Sequence, residues 1–117
     1  MMFCSPREAD LDIPTLAGEF GLEEQDVRRL YLTFLESTKK DLVLLDQAFT
    51  EQDAEKMRAA AHHIKGAAGN LELDVIAEAA RRIEEKARSG VVEDPAAHIA
   101  NIRTQLESIR TQLSSDQ

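Results

Sequence analysis

The sequence contains no tryptophan, one tyrosine and four phenylalanines, so any core it builds is mostly aliphatic. Its one cysteine, Cys4, excludes an internal disulfide and leaves the fold independent of oxidation, which fits a reducing cytoplasm. Five glycines and three prolines supply little of the turn chemistry that a strand-rich fold consumes. No apolar run approaches the roughly 20 residues of a membrane-spanning helix. The N-terminus also lacks the charged-then-apolar order of a secretory signal. The expectation is a soluble, cytoplasmic protein without membrane contact. Basic residues are outnumbered, 14 Lys and Arg against 22 Asp and Glu, for a formal net charge of -8. A nucleic-acid ligand needs a basic face to neutralise its phosphates, and none is visible here, so no nucleic-acid partner is expected.

What is present points to helices. The 117 residues suit one domain, and 43% of them are hydrophobic, enough for one core. Ala, Leu, Glu, Arg and Gln, all good helix formers, are plentiful. Residues 1–12 show no period and are expected to be flexible, with the folded domain over 13–117. A short helix is predicted after Asp12, with Pro14 in its first turn and Gly21 as its stop. From Glu23 to about Phe49 the residues Val27, Leu30, Tyr31, Phe34, Thr38, Leu42, Leu45 and Phe49 form a helical stripe.

Asp53 is a candidate N-cap for a second long helix burying Met57, Ala60, Ala61, Ile64, Ala68 and Leu71. A third, from about Asp74 to Arg88, turns Ile76, Ala79, Ala80, Ile83 and Ala87 inward and ends near Gly90. Asp94 and Pro95 open the last, whose stripe is Ile99, Ile102, Leu106, Ile109 and Leu113. The expected fold is all-α: an antiparallel four-helix bundle with a short additional N-terminal helix.

The chemistry is concentrated in Ala60-Ala61-His62-His63-Ile64-Lys65-Gly66-Ala67-Ala68-Gly69-Asn70-Leu71. At about 100° per residue, His62 lies some 160° around the helix from the buried Ile64 and faces solvent. Lys65 and Gly66 follow one turn on, Gly69 two turns on, and Arg58 sits one turn before. Each glycine in a helix interior costs roughly 1 kcal/mol against alanine, and on this face both flank an exposed histidine. Their absent side chains give another protein close access to the imidazole. An exposed histidine is mostly neutral near pH 7 and keeps a nucleophilic nitrogen able to form a covalent intermediate.

These residues resemble a known signature. His62-x-Ile64-Lys65-Gly66, followed by Ala67-Ala68-Gly69-Asn70-Leu71, is similar to the motif of histidine-containing phosphotransfer (HPt) domains of multistep phosphorelays. The resemblance implies that His62 is the phospho-acceptor, that Lys65 steadies the phosphate, and that Gly66 and Gly69 leave room for the partner to dock; Arg58, on the same face, is a candidate to assist that docking. That partner would be a response-regulator receiver domain or a hybrid sensor histidine kinase. The chain would act as a monomeric phosphocarrier without a bound cofactor, Mg2+ being supplied on the receiver during transfer. Family members usually carry glycine after the Asn-Leu step. Glu72 stands there instead, expected to extend the second helix or sit in its final turn, and it is a candidate partner contact.

The remaining residues attract plainer readings. His63 is expected at the surface or its boundary, His98 has no assigned role, and Arg81, Arg82, Glu84 and Glu85 read as a solvated face. Adjacent helical histidines point in different directions, whereas helical ligand pairs are spaced three or four apart, so no metal site is expected. No ATP-binding motif is present, which argues against a kinase. The alternative is a helical adaptor or dimerisation bundle without covalent chemistry.

Overall fold

The computed structural model describes residues 11–115. Among them are five α-helices and no strand: α1 (Ile13–Phe20), α2 (Glu24–Glu51), α3 (Ala54–Asn70), α4 (Asp74–Arg88) and α5 (Ala96–Ser115). Of the segment expected to be flexible, residues 1–10 lie outside the described residues. Leu11 and Asp12 are tied down: the Leu11 amide donates to Gln112 Oε1 at 2.6 Å, and Asp12 accepts from the Thr15 amide at the start of α1.

The helix ends follow from local chemistry. Asp53 caps α3 by accepting from the Lys56 amide at 3.0 Å, satisfying a donor that the helix itself cannot pair. Asp94 does the same for the Ala96 amide ahead of α5. Four helices finish alike, with a residue of positive φ just past the last turn, at Gly21, Gln52, Glu72 and Gly90. After α3, the Glu72 amide donates to the Gly69 carbonyl at 3.1 Å and the Leu73 amide to Ala68 at 2.9 Å, the two bonds of a Schellman ending. The Tyr31 hydroxyl of α2 donates to the Leu71 carbonyl at 3.2 Å and so anchors the end of α3.

Glu72 therefore neither extends α3 nor sits in its last turn. It lies beyond the helix at φ 60°, a conformation in which glycine carries no Cβ penalty. That is a physical reason for glycine at this step in the HPt motif.

The predicted stripes of α3, α4 and α5 are buried, apart from a half-buried Leu71. On α2 the sequence reading is corrected at two places. Leu30 is 42% exposed, Phe49 is only half-buried, and Leu35 and Ala48 fill the core instead. The helix is long enough for the 3.6-residue period to drift across a fixed three-four spacing, so its buried face shifts along its length.

α2 packs against α1, α3 and α5, while α4 packs against α3 and α5. The α3–α4 contact is the most extensive. Many of the buried side chains on these two helices are small: Ala60, Ala61 and Ala68 on α3, and Ala79, Ala80 and Ala87 on α4. Small side chains let helix axes approach closely. This brings the polar flank of α4 within reach of His62.

Replacing Glu72 by glycine is expected to stabilise the protein by up to about 1 kcal/mol. Relief of the positive-φ penalty and of an anion at a helix C-terminus outweighs the backbone entropy of glycine. Glu72→Ala, which keeps a Cβ, should gain little. Denaturant melts of the two variants check this, and a Glu72→Gly protein less stable than wild type would contradict it.

Candidate functional site

α3 presents His62 with its side chain 60% exposed. Its Nδ1 lies 2.7 Å from Oε2 of Glu84, on α4. The same carboxylate receives Lys65 Nζ at 2.7 Å on Oε1 and an Arg88 guanidinium nitrogen at 2.8 Å on Oε2. Glu84 itself is 1% exposed. The expectation that it belongs to a solvated face is thus overturned. Arg81, Arg82, Glu78 and Glu85 do pair with one another on the outer side of α4, but Glu84 points the other way, into the seam with α3.

Burial alone pushes the Glu84 carboxyl toward protonation, yet hydrogen bonds and charge from Lys65 and His62 outweigh it and hold the group below the usual carboxylate range. An ionised carboxylate can only accept. Nδ1 of His62 must therefore carry the proton, which leaves Nε2 unprotonated in the neutral ring. The nucleophilic nitrogen is the one away from Glu84, on an imidazole that is mostly exposed.

Lys65 is less free than its sequence position suggests. Its side chain is 34% exposed and its ammonium sits on Glu84. Arg58 is half-buried and engaged by Glu55 at 2.7 and 3.1 Å. Glu55 is the main influence keeping its guanidinium charged, with a smaller attraction from Glu84. Gly66 and Gly69 are exposed, and a Cβ at either would meet nothing within 4 Å. Neither glycine is required by packing among the described residues, which leaves a smooth strip beside His62. Glu72, exposed beyond the helix end, closes that strip.

His63 has a partner that the sequence reading did not assign. Its Nδ1 lies 2.6 Å from Oδ2 of Asp41, a residue of α2 only 8% exposed. The sequence did hold a signal for both carboxylates. Glu84 falls four residues after Ala80 and three before Ala87, and Asp41 three after Thr38 and four before Leu45. Each is an anion on an apolar stripe, where a charge needs a partner from a neighbouring helix. His98 is half-buried in the first turn of α5. Among the described residues no three His, Cys, Asp or Glu side chains cluster as metal ligands would, and no helix is long and apolar enough to cross a membrane.

The chain superposes on the crystal structure of histidine-containing phosphotransfer protein B (HptB) from Pseudomonas aeruginosa PAO1 with a TM-score of 0.77, covering 97% of this chain and 96% of that one. At 24% identity, that likeness speaks to the fold. No curated protein matches the sequence significantly. The sequence model of the Hpt domain matches residues 29–112, most of α2 through most of α5 and the whole of the His62 segment. The chain belongs to the Hpt domain family, the phosphocarriers that act through a histidine in phosphorelays.

Proposed function

We propose that His62 is the residue that accepts the phosphoryl group, on Nε2, and exchanges it with an aspartate of a receiver domain. The observation that carries this reading is the pairing of an exposed imidazole with a buried, ionised Glu84 through Nδ1. In the forward step the Nε2 lone pair attacks phosphorus and the bond from phosphorus to the aspartyl oxygen breaks. The aspartate leaves as a carboxylate. The proton on Nδ1 stays in place, so the ring becomes a cation facing Glu84, which offsets the new charge without rearrangement. In the reverse step the same contact releases a neutral ring.

Lys65 is proposed to turn from Glu84 to the phosphoryl oxygens, while Arg88 keeps Glu84 compensated. The protein brings positioning and charge, and the receiver brings Mg2+ and the aspartate. We place the docking surface on the strip of Gly66 and Gly69, with Arg58 at one end and Glu72 at the other. α2 to α5 are read as an antiparallel bundle within a domain over 13–117, acting as a monomer in the cytoplasm.

An adaptor without covalent chemistry draws support from four apolar side chains that α2 exposes: Leu30, Leu32, Val43 and Leu44. It requires His62 to stay silent toward phosphodonors, which is at odds with the family of phosphocarriers to which the chain belongs.

Incubation with a phosphorylated receiver domain separates the readings. Wild type and His63→Gln are expected to take acid-labile phosphate from the receiver, and His62→Gln to take none. Transfer to His62→Gln at the wild-type rate would overturn the assignment.

The docking surface has its own test. Gly69→Gln should keep the helical signal and melting temperature within the small range expected of a surface change. It should nevertheless lose transfer from a receiver by tenfold or more, on the order of what one obstructed positioning contact costs. Normal transfer would place the partner elsewhere, and unfolding would show that the glycine serves packing.

A further inference from the structure

The two adjacent histidines of α3 are built alike. Turned about 100° apart by the helix, they reach opposite neighbours, His62 to Glu84 of α4 and His63 to Asp41 of α2. Both side chains are 60% exposed, both rings use Nδ1, and both carboxylates come from buried stripes. For either ring, a carboxylate accepting at Nδ1 fixes the tautomer that leaves Nε2 with its lone pair. What differs is the surface outside. His62 faces the glycine strip, whereas His63 opens on a groove of about 460 Å3 between α2 and α3, whose lining includes Leu44, Lys56, Ala59 and Ala60.

That groove also holds a movable cation. Lys56 lies seven residues before His63, two turns along the same face of α3. Its Nζ is paired with Glu51 Oε1 at 3.0 Å, and both side chains are more than half exposed. Such a pair is worth little and is readily exchanged for a stronger anion. The lysine thus offers an exchangeable cation on the wall of the same groove, about 10 Å of helix rise from His63.

We propose that His63 is a second phosphoryl acceptor, held for attack by Asp41 and charged by small phosphoramidate-type donors that fit the groove. The Nε2 lone pair attacks the phosphorus of zwitterionic phosphoramidate, the phosphorus–nitrogen bond breaks, and ammonia leaves with its own three hydrogens. The Nδ1 proton remains on the ring against Asp41, giving a phosphoimidazolium whose charge that carboxylate balances. This rests on the chemistry proposed for His62, but not on His62 being the residue a receiver domain uses.

The test is to treat the full chain with phosphoramidate, follow phosphohistidine by 31P NMR, and map it by mass spectrometry. Wild type is expected to carry label at both His62 and His63. His62→Gln should keep label at His63, and the double variant His62→Gln/His63→Gln should carry none. In the His62→Gln background, Asp41→Asn should slow labelling at His63 by about tenfold or more, because the ring loses the anion that fixes its tautomer. An unlabelled, folded His62→Gln protein overturns the proposal and makes the Asp41 contact a helix tie only. Label mapped to His98 and not to His63 in His62→Gln likewise overturns it. An unchanged rate in folded Asp41→Asn overturns the role of Asp41. Receiver transfer is read separately: its loss in His63→Gln, with His62→Gln unaffected, would sink the proposed function and leave this inference standing.

Discussion

The arrangement around His62 depends on a single buried carboxylate. Glu84 is almost wholly removed from water, yet it accepts from His62, Lys65 and Arg88 at 2.7 to 2.8 Å. An unpaired charge in that position would be expelled or protonated. Here Lys65 and His62 outweigh the burial and hold its carboxyl below the usual range. Because the anion is fixed by the α3–α4 seam, the tautomer of His62 is fixed with it. Orientation, nucleophilicity and charge compensation at the imidazole thus have one common origin.

The seam explains why a small aliphatic bundle can present such a site. Alanines on α3 and α4 bring the helices close enough for a glutamate on one to reach a histidine on the other. The resulting cluster has one buried anion, with its cations nearer the solvent: Lys65 is half-buried and Arg88 exposed. Lys65 and Arg88 both pair with Glu84; in the proposed transfer Lys65 is the one that leaves it, while Arg88 stays. α2 repeats the theme on the opposite flank through Asp41, with Lys56 nearby in place of Lys65.

Much of this was legible in the sequence. Helix starts at Asp53 and Asp94, stops at Gly21 and Gly90, and the stripes of α4 and α5 follow from capping and period alone. The exposure of His62 followed from its angle to Ile64. What escaped the sequence reading is what depends on two helices at once. Glu84 has outward-facing Arg82 and Glu85 beside it, and only the packing of α4 shows that it turns inward while they do not. Asp41 is hidden for the same reason. Glu72 was misplaced because the conformation of a helix ending is set by which carbonyls its amides reach, and glutamate does not announce a positive φ as glycine does. Leu30 and Phe49 show how a fixed spacing fails along a 28-residue helix.

The most direct measurement is the protonation of the two ring nitrogens of His62, read by 15N chemical shifts in the neutral state. In the wild type Nδ1 is expected to be protonated and Nε2 bare. Glu84→Gln, whose side-chain amide can donate as well as accept, should lose that preference and show a mixture or the opposite tautomer. A wild-type ring protonated mainly on Nε2, or a tautomer indifferent to Glu84→Gln in a folded protein, would contradict it.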